Sequence, residues 1–359
     1  MEQLPRVSVI IPCRNEGRFI ANCLDSVLNN GYPVDKLEII VVDGMSDDDT
    51  RSVIQHYNTV NPFIKIVDNP HKVTPFAVNI GIRAASCEII MRLDAHTVCE
   101  RDYISRCVNA LNKYTADDVG GLCRIVARDD TPMGRAIVKA LTVPLGVGNL
   151  RHRFSKSEEP EIVDTVPFFC CRPELFHKVG LFNENLTRGQ DMEFKRRLAR
   201  TGGKIMLVPG AAVSYQARSN LKAFVRHNWA DGLWTALAFA YSDVMPVRWR
   251  HLAPLCLLGA LIGSGFLAII FPPFTWAFVG ISGIYAVAIL ALSAKIAISE
   301  KDARYFLLVP LAIVTLHGMR GLGSFWGFMR LISRGKFVHA IHLVLKEHLH
   351  DKPIADAGI

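Results

Sequence analysis

Residues 252–271 run for 20 positions without a charged side chain, enough helix to cross about 30 Å of hydrocarbon. Such a segment has two homes, the core of a large protein or a lipid bilayer. Here it has company. Pro272-Pro273 gives a tight turn, and a second apolar run, Pro273–Ala294, is entered by Trp276. The pair reads as a helical hairpin with almost no external loop. A charged stretch, Lys295–Arg304, separates it from a third run, Tyr305–Phe328. That third run is different in kind, because His317 and Arg320 interrupt it among Gly318, Gly321 and Gly323. Half of all residues are hydrophobic, more than a soluble domain carries. The excess lies in these runs, while residues 1–245 are mixed.

Net charge is +8. Basic residues gather in Arg196–Arg200, Arg218–His227, Arg248–His251 and Arg330–Lys352. They flank the apolar runs, which points to an anionic membrane surface rather than nucleic acid, and no nucleic-acid motif accompanies them. Under the positive-inside rule Arg248–His251, Lys295–Arg304 and the basic tail all face the cytoplasm. A straight third crossing would carry the tail outside. We therefore expect Tyr305–Phe328 to bend back, with the glycines up to Gly327 allowing it. The nine cysteines form no CxxC pair, and Cys170-Cys171 falls in a buried strand. That use of Cys as a small hydrophobe fits a reducing compartment. Met1–Arg6 has no charged-then-apolar leader, so a cleaved signal peptide is not expected.

The first half alternates strand and helix. Val7–Pro12, Leu37–Val42, Ile64–Val67 and Glu88–Leu93 read as buried strands. Arg18–Asn30, Thr50–Tyr57 and Pro75–Ala85 read as the helices between them, the second capped from Asp47–Asp49. That spacing implies β-α-β units and an open, mostly parallel α/β sheet. Ligands of such sheets sit beyond the carboxyl ends of the strands. Glu16, Asp43 and Asp94 each lie at or just past such an end, so three carboxylates converge on one sheet edge. Further on, Val119–Val126, Val163–Arg172 and Lys204–Val208 read as strands and Asp191–Arg200 as a helix. Residues 127–162 carry little periodicity and many charges, and read as an insertion or a loop with a helix.

Four segments stand in order: VSVIIPCRNEG, EIIVVDGMSDDDT, EIIMRLDAHT and RGQDMEFKRRLARTGGK. Together they resemble the inverting family 2 glycosyltransferases with the GT-A fold. More closely, DGMSDDDT, VNIGIRAA, RLDAH and DVGG look like the succinoglycan-type glucosyltransferases of bacterial exopolysaccharide synthesis. The resemblance covers residues 6–235, and the hydrophobic tail is similar in kind.

The resemblance implies a nucleotide-sugar site, and the residue chemistry suits it. A uracil-type base presents an N–H donor, which a carboxylate at a strand end, Asp43, would accept. An aspartate in an Asp-Gly turn is the plainer reading of that residue. Pro12, Asn15 and Glu16 would shape the wall beside base and ribose. Asp94-Ala95-His96 stands where the family has its DxD metal motif. Alternate residues share a side in extended chain, so Asp94 and His96 would hold one Mg²⁺ or Mn²⁺. The imidazole tilts the choice toward Mn²⁺, and His96 in place of a second Asp is a departure from the family. Asp191, at a helix start, would be the general base, with Glu193 in reserve and an ordinary helix cap as the bland alternative. Gln190 replaces the usual Glu. Arg218, Arg226 and Trp234 would meet the diphosphate and the acceptor, or else sit at headgroup depth on an interfacial helix. Arg320 would have a reason to lie in an apolar segment beside a lipid diphosphate.

The expected organisation is a GT-A catalytic domain over 1–245, ending in an interfacial amphipathic helix over 218–245. A membrane region over 246–335 and a basic cytoplasmic tail over 336–359 follow. The expected reaction is inverting transfer of a hexose, glucose from UDP-glucose first, onto a membrane-bound polyprenyl-diphosphate-linked glycan. The catalytic domain would face the cytoplasm from a multi-pass anchor in the inner or plasma membrane. One rival glycosylates polyprenyl phosphate itself. Another, a membrane-tethered Rossmann oxidoreductase, needs GxGxxG after the first strand, where this chain has Arg14-Asn15-Glu16-Gly17.

Overall fold

The computed structural model describes residues 4–148 and 150–350, with side chains through Lys346. The start of the Met1–Arg6 segment and the tail beyond residue 350 lie outside them. In chain order, β1 (Val7–Cys13), α1 (Gly17–Leu28), β2 (Leu37–Asp43), α2 (Thr50–Val60), β3 (Ile64–Asp68), α3 (Thr74–Ala84) and β4 (Ile89–Arg92) alternate. β5 (Thr97–Cys99), α4 (Tyr103–Lys113) and β6 (Asp118–Ala127) follow. Next come α5 (Pro132–Leu141), α6 (Pro144–Val147), α7 (Arg151–Phe154), β7 (Glu161–Ile162), β8 (Phe169–Cys171), α8 (Glu174–Val179), α9 (Gln190–Arg200) and β9 (Ile205–Ala217). The chain continues as α10 (Leu221–Leu237), α11 (Ala253–Ile270), α12 (Phe274–Ser299), α13 (Tyr305–Ser333) and α14 (Phe337–His350).

Two compact units result, one of residues 1–126 and 149–216, the other of 127–148 and 217–359. The first is built on one sheet with the order β3-β2-β1-β4-β8-β6-β9-β5, and β7 pairs with β9. β1 and β2 are buried at every residue, which requires cover on both faces and explains their unbroken Val/Ile runs. α1 supplies part of that cover through Phe19, Ile20, Cys23, Leu24 and Val27, a single helical face. The β1–β2, β1–β4 and β2–β3 pairs are parallel. Beyond β4 the pairing turns antiparallel, at β4–β8, β6–β8, β5–β9 and β7–β9. The sheet is therefore mixed, and the parallel part is the half that carries the three strand-end carboxylates.

Two expectations on this unit are revised. Val163–Arg172 does not form one strand. Only Phe169–Cys171 pairs, because Pro167 lacks an amide donor and Phe168 takes a left-handed φ of 61°. The Lys204–Val208 strand begins at Ile205 and runs on to Ala217 as the longer β9.

In the second unit α11, α12 and α13 are each long and apolar enough to cross a membrane. Their surroundings differ. Of each helix's most apolar stretch, the chain itself buries 6% in α11, 11% in α12 and 33% in α13. α13 gains its cover from two directions. Val309, Ala312, Ile313 and Leu316 pack with Ala136, Ile137 and Ala140 of α5 and Ile289 of α12. Farther along, α13 lies on α10. The expected bend at Gly318–Gly327 is absent, since α13 is one helix from Tyr305 to Ser333. Its glycines serve contact instead. A Cβ on Gly323 would stand 2.3 Å from the Trp229 carbonyl oxygen, and one on Gly327 would stand 2.7 Å from Ala236 Cβ. Gly232 of α10 returns the fit, with its own Cβ position 2.1 Å from the Arg320 oxygen. Ser324 donates to the Gly232 carbonyl at 3.0 Å along the same seam.

Candidate active site

Each of the first three parallel strands is followed by a non-glycine residue in the left-handed region: Asn15 (φ 55°), Met45 (φ 55°) and Lys72 (φ 63°). Such a conformation costs about 1–3 kcal/mol and persists only where neighbours fix it. Here the loops after β1 and β2 fix each other. Asn15 N donates to Ser46 Oγ at 2.9 Å and Asn15 Oδ1 accepts from Asp47 N at 3.0 Å. Glu16 N donates to Thr50 Oγ1 at 2.7 Å, and Gly17 N to Asp48 Oδ2 at 3.2 Å. Asp48 also accepts from Thr50 N at 3.0 Å. The aspartate run is thus a clasp between two loops as well as a helix start.

Asp43 ends β2 with no exposed surface. Its carboxylate accepts from Ser46 Oγ at 2.6 Å and from Arg51 Nη1 at 3.0 Å, and Arg51 reaches Asp68 at 2.7 Å. Ser46 and Arg51 thus hold the carboxylate at the strand end. Pro12 is buried within β1 beside it, while Asn15 is exposed.

Glu16 points the other way, its Oε1 3.0 Å from His96 Nδ1. The His96 ring also meets Tyr215 edge-on, with centroids 4.9 Å apart. Asp94, two residues earlier, closes the turn out of β4 by accepting from Thr97 N at 3.0 Å and Thr97 Oγ1 at 2.6 Å on its backbone oxygen. Its side chain accepts from Arg92 Nε at 3.1 Å and Nη2 at 2.8 Å.

Arg92 is the residue that sequence reasoning passed over. It is the last residue of β4, its side chain only 4% exposed. Its remaining nitrogen, Nη1, donates to Asp191 Oδ1 at 2.5 Å. Burial works against its charge, yet Asp191 and Asp94 prevail and raise its pKa further. The signal lay in the segment EIIMRLD. A charged residue inside a run buried on both faces needs a partner, and Arg is almost never fully buried without one.

Asp191 stands in the first turn of α9, where the helix dipole favours a carboxylate. It is not the cap of the helix, a position that Gly189 takes. The half-exposed side chain leaves Oδ2 without a hydrogen-bond partner among the described residues. Glu193 is buried and held by Arg197 Nε at 2.8 Å and Nη2 at 3.0 Å, while Arg197 also donates to the Val179 and Leu181 carbonyls. That residue anchors α9 rather than facing the strand ends. Glu16, His96, Asp94 and Asp191 are thus gathered at the carboxyl ends of β1 and β4, and Asp43 lies in a separate network.

Residues 8–180 match the model of glycosyl transferase family 2. The chain carries a family 2 glycosyltransferase domain. The chain is 26% identical to a dolichyl N-acetyl-alpha-D-glucosaminyl phosphate 3-beta-D-2,3-diacetamido-2,3-dideoxy-beta-D-glucuronosyltransferase of Methanococcus voltae, over 90% of this chain and 97% of that one. It is also 26% identical to the succinoglycan biosynthesis protein ExoA of Rhizobium meliloti, over 89% and 93%. In fold it resembles a mannosyltransferase from Pyrobaculum calidifontis solved with GDP-Man and Mn²⁺, with TM-score 0.55, 20% identity, and coverage of 90% and 88%. TarS residues 1–349 of S. aureus, solved with UDP-GlcNAc, gives TM-score 0.51 at 14% identity, with 92% of each chain covered.

Arg218, Arg226 and Trp234 belong to the second unit of the glycosyltransferase. Arg226 is exposed on α10, and Arg218 and Trp234 are half-buried. The polar residues of the third apolar run have partners within the same unit. Arg320 Nε donates to Asn228 Oδ1 at 3.0 Å, and its Nη2 is 3.5 Å from Asp231. His317 Nδ1 lies 2.9 Å from the Tyr285 hydroxyl.

Proposed function

We propose that this glycosyltransferase moves a hexose, with inversion, from a nucleoside-diphosphate sugar onto a membrane-bound polyprenyl-diphosphate-linked glycan. UDP-glucose is the first donor to test. The observation that carries the reading is the placement of Asp191, with Oδ1 held and Oδ2 open, joined through Arg92 to the strand-end carboxylate of Asp94. In this reading Oδ2 takes the proton of the acceptor hydroxyl. The acceptor oxygen bonds the anomeric carbon from the face opposite the diphosphate, and the sugar–diphosphate bond breaks. Asp43, Pro12, Asn15 and Glu16 line the nucleoside side, and a base N–H reaching Asp43 would take the place of Arg51. Arg218, Arg226 and Trp234 serve the diphosphate and the acceptor.

The donor atoms fit a divalent cation that arrives with its substrate. Asp94 offers a carboxylate and His96 an imidazole nitrogen, and no group of three His, Cys, Asp or Glu suited to a metal occurs among the described residues. A cation held by one or two protein ligands takes its remaining oxygens from phosphate and water. Asp94 and His96 would hold Mg²⁺ or Mn²⁺, which would offset charge on the leaving diphosphate.

The acceptor class is supported by the Methanococcus voltae relative, whose name specifies a dolichyl-phosphate-linked sugar, and by the succinoglycan relative. A sugar already on the lipid favours chain extension over glycosylation of the bare lipid phosphate. The apolar helices α11 and α12 provide the anchor. The basic segments beside them support a catalytic domain on the cytoplasmic face of the inner or plasma membrane. The test is to incubate membranes carrying the chain with a panel of labelled UDP- and GDP-sugars. Label entering a lengthened lipid-linked saccharide, with anomeric configuration inverted, is the expected result. Label on polyprenyl phosphate as a single sugar would move the assignment to the rival, and no label from any donor would end both.

A further inference from the structure

We infer that Arg92 is a positioning residue for the transfer step, aiming the Asp191 carboxylate at the acceptor and keeping it off the cation site. This rests on the reading of Asp191 as the base and Asp94 as a cation ligand. Three observations carry it. The guanidinium is enclosed, and all three of its nitrogens are spent on these two carboxylates. It bonds one oxygen of each, Oδ1 of Asp94 and Oδ1 of Asp191, so that Asp191 keeps Oδ2 for a proton. The two carboxylates are 97 positions apart in sequence and come from different elements, β4's end and α9's first turn, with no direct bond between them.

The electrostatics explain why a guanidinium is needed there. Two carboxylates on one cation repel each other, and the buried positive charge between them offsets that. A divalent ion at Asp94 would attract Asp191 as a further ligand, and a ligated carboxylate oxygen takes up a proton poorly. A rigid two-pronged donor holds the second carboxylate at a fixed distance, which a flexible ammonium does less well.

The full-length protein in membranes tests this, using UDP-glucose or whichever panel sugar labels lipid. Arg92→Ala should lower kcat by about 100-fold or more, the scale of misplacing a general base, with the donor KM changed less than about threefold. Added guanidinium should restore part of the rate, and Arg92→Lys should fall between. In an Asp191→Asn background Arg92→Ala should cost little more, because the group it aims is already disabled. Binding of UDP with Mn²⁺ serves as the folding control. If Arg92→Ala fails it, Arg92→Lys and its doubled form with Asp191→Asn decide. A loss confined to donor KM, or a second full loss in the Asp191→Asn background, would overturn the inference. If Asp191→Asn alone keeps its rate, the base assignment falls instead, which separates the two failures.

Discussion

Glu16 Oε1 and His96 Nδ1 meet at 3.0 Å across 80 positions of sequence. A carboxylate on one ring nitrogen fixes the imidazole and directs its other nitrogen outward for a ligand, the tautomer following from that bond. Nε2 has no hydrogen-bond partner among the described residues. The His in place of a second Asp thus comes with its own orienting carboxylate. Glu16→Gln should weaken activation by Mn²⁺ about 10–100-fold, the usual cost of losing such a partner. Titrating Mn²⁺ against transfer measures it, and an unchanged activation constant would leave Glu16 to the nucleoside wall alone.

Asp94→Ala should abolish transfer, and His96→Ala should weaken it or change the preferred ion. Both are read from rates with Mg²⁺ and with Mn²⁺ after chelation. Full activity of the unaltered enzyme in excess chelator would remove the cation from the reaction.

Asp191→Asn keeps shape and removes basicity. Turnover should fall by about 100-fold or more, the lower end of general-base contributions, with UDP binding kept. A loss seen only in donor affinity would make Asp191 a binding residue.

At the opposite end of the strands Glu38 is buried, with Ser8 Oγ at 2.5 Å, Lys65 Nζ at 2.6 Å and Ser86 N at 2.9 Å. Burial alone would push its pKa up, but Lys65, Ser8 and Ser86 outweigh it and bring the value from 4.5 down to about 2. A folded value below the unfolded one stabilises the protein above the unfolded pKa and is lost as pH falls through the folded one. Glu38→Gln should therefore flatten the loss of stability between pH 4.5 and 2, seen in denaturation midpoints taken across that window. An acid limb identical to that of the unaltered protein would count against it.

Gly323→Val puts a side chain where 2.3 Å separates the Cβ position from the Trp229 oxygen. Overpacking of this sort costs about 1–3 kcal/mol. Thermal unfolding in detergent should show it, whereas Gly318→Val, with nothing within 4 Å of its Cβ position, should unfold at the original temperature. Equal effects at the two sites would mean the seam is not tightly packed.

What could be read from sequence followed from periodicity. Buried strands announce themselves by unbroken Val and Ile, and their ends by a carboxylate, so β1, β2 and β4 and the acids beyond them were legible. Chemistry that depends on distant partners was not. Glu16 reads as a loop residue until His96 is beside it, and Arg92 reads as an interruption of a strand until Asp94 and Asp191 surround it. Glycines mislead in a similar way. Gly321, Gly323 and Gly327 signal a bend or a close contact with equal force, and only the presence of Pro254, Trp229 and Ala236 against them decides.

The α10–α13 seam also governs how the enzyme can be handled at the bench. A chain stopped at residue 245 would keep α10 and discard the surface that its Gly232 is shaped to receive. The stretch from Trp229 to Ala236 would then meet detergent or another molecule, an invitation to clump. Preparations intended for kinetics or crystals should run through Ser333 and accept the lipid or detergent this entails. Solubility is better sought by changing the outer faces of α11 and α12, where Ile269, Trp276 and Ile284 are exposed.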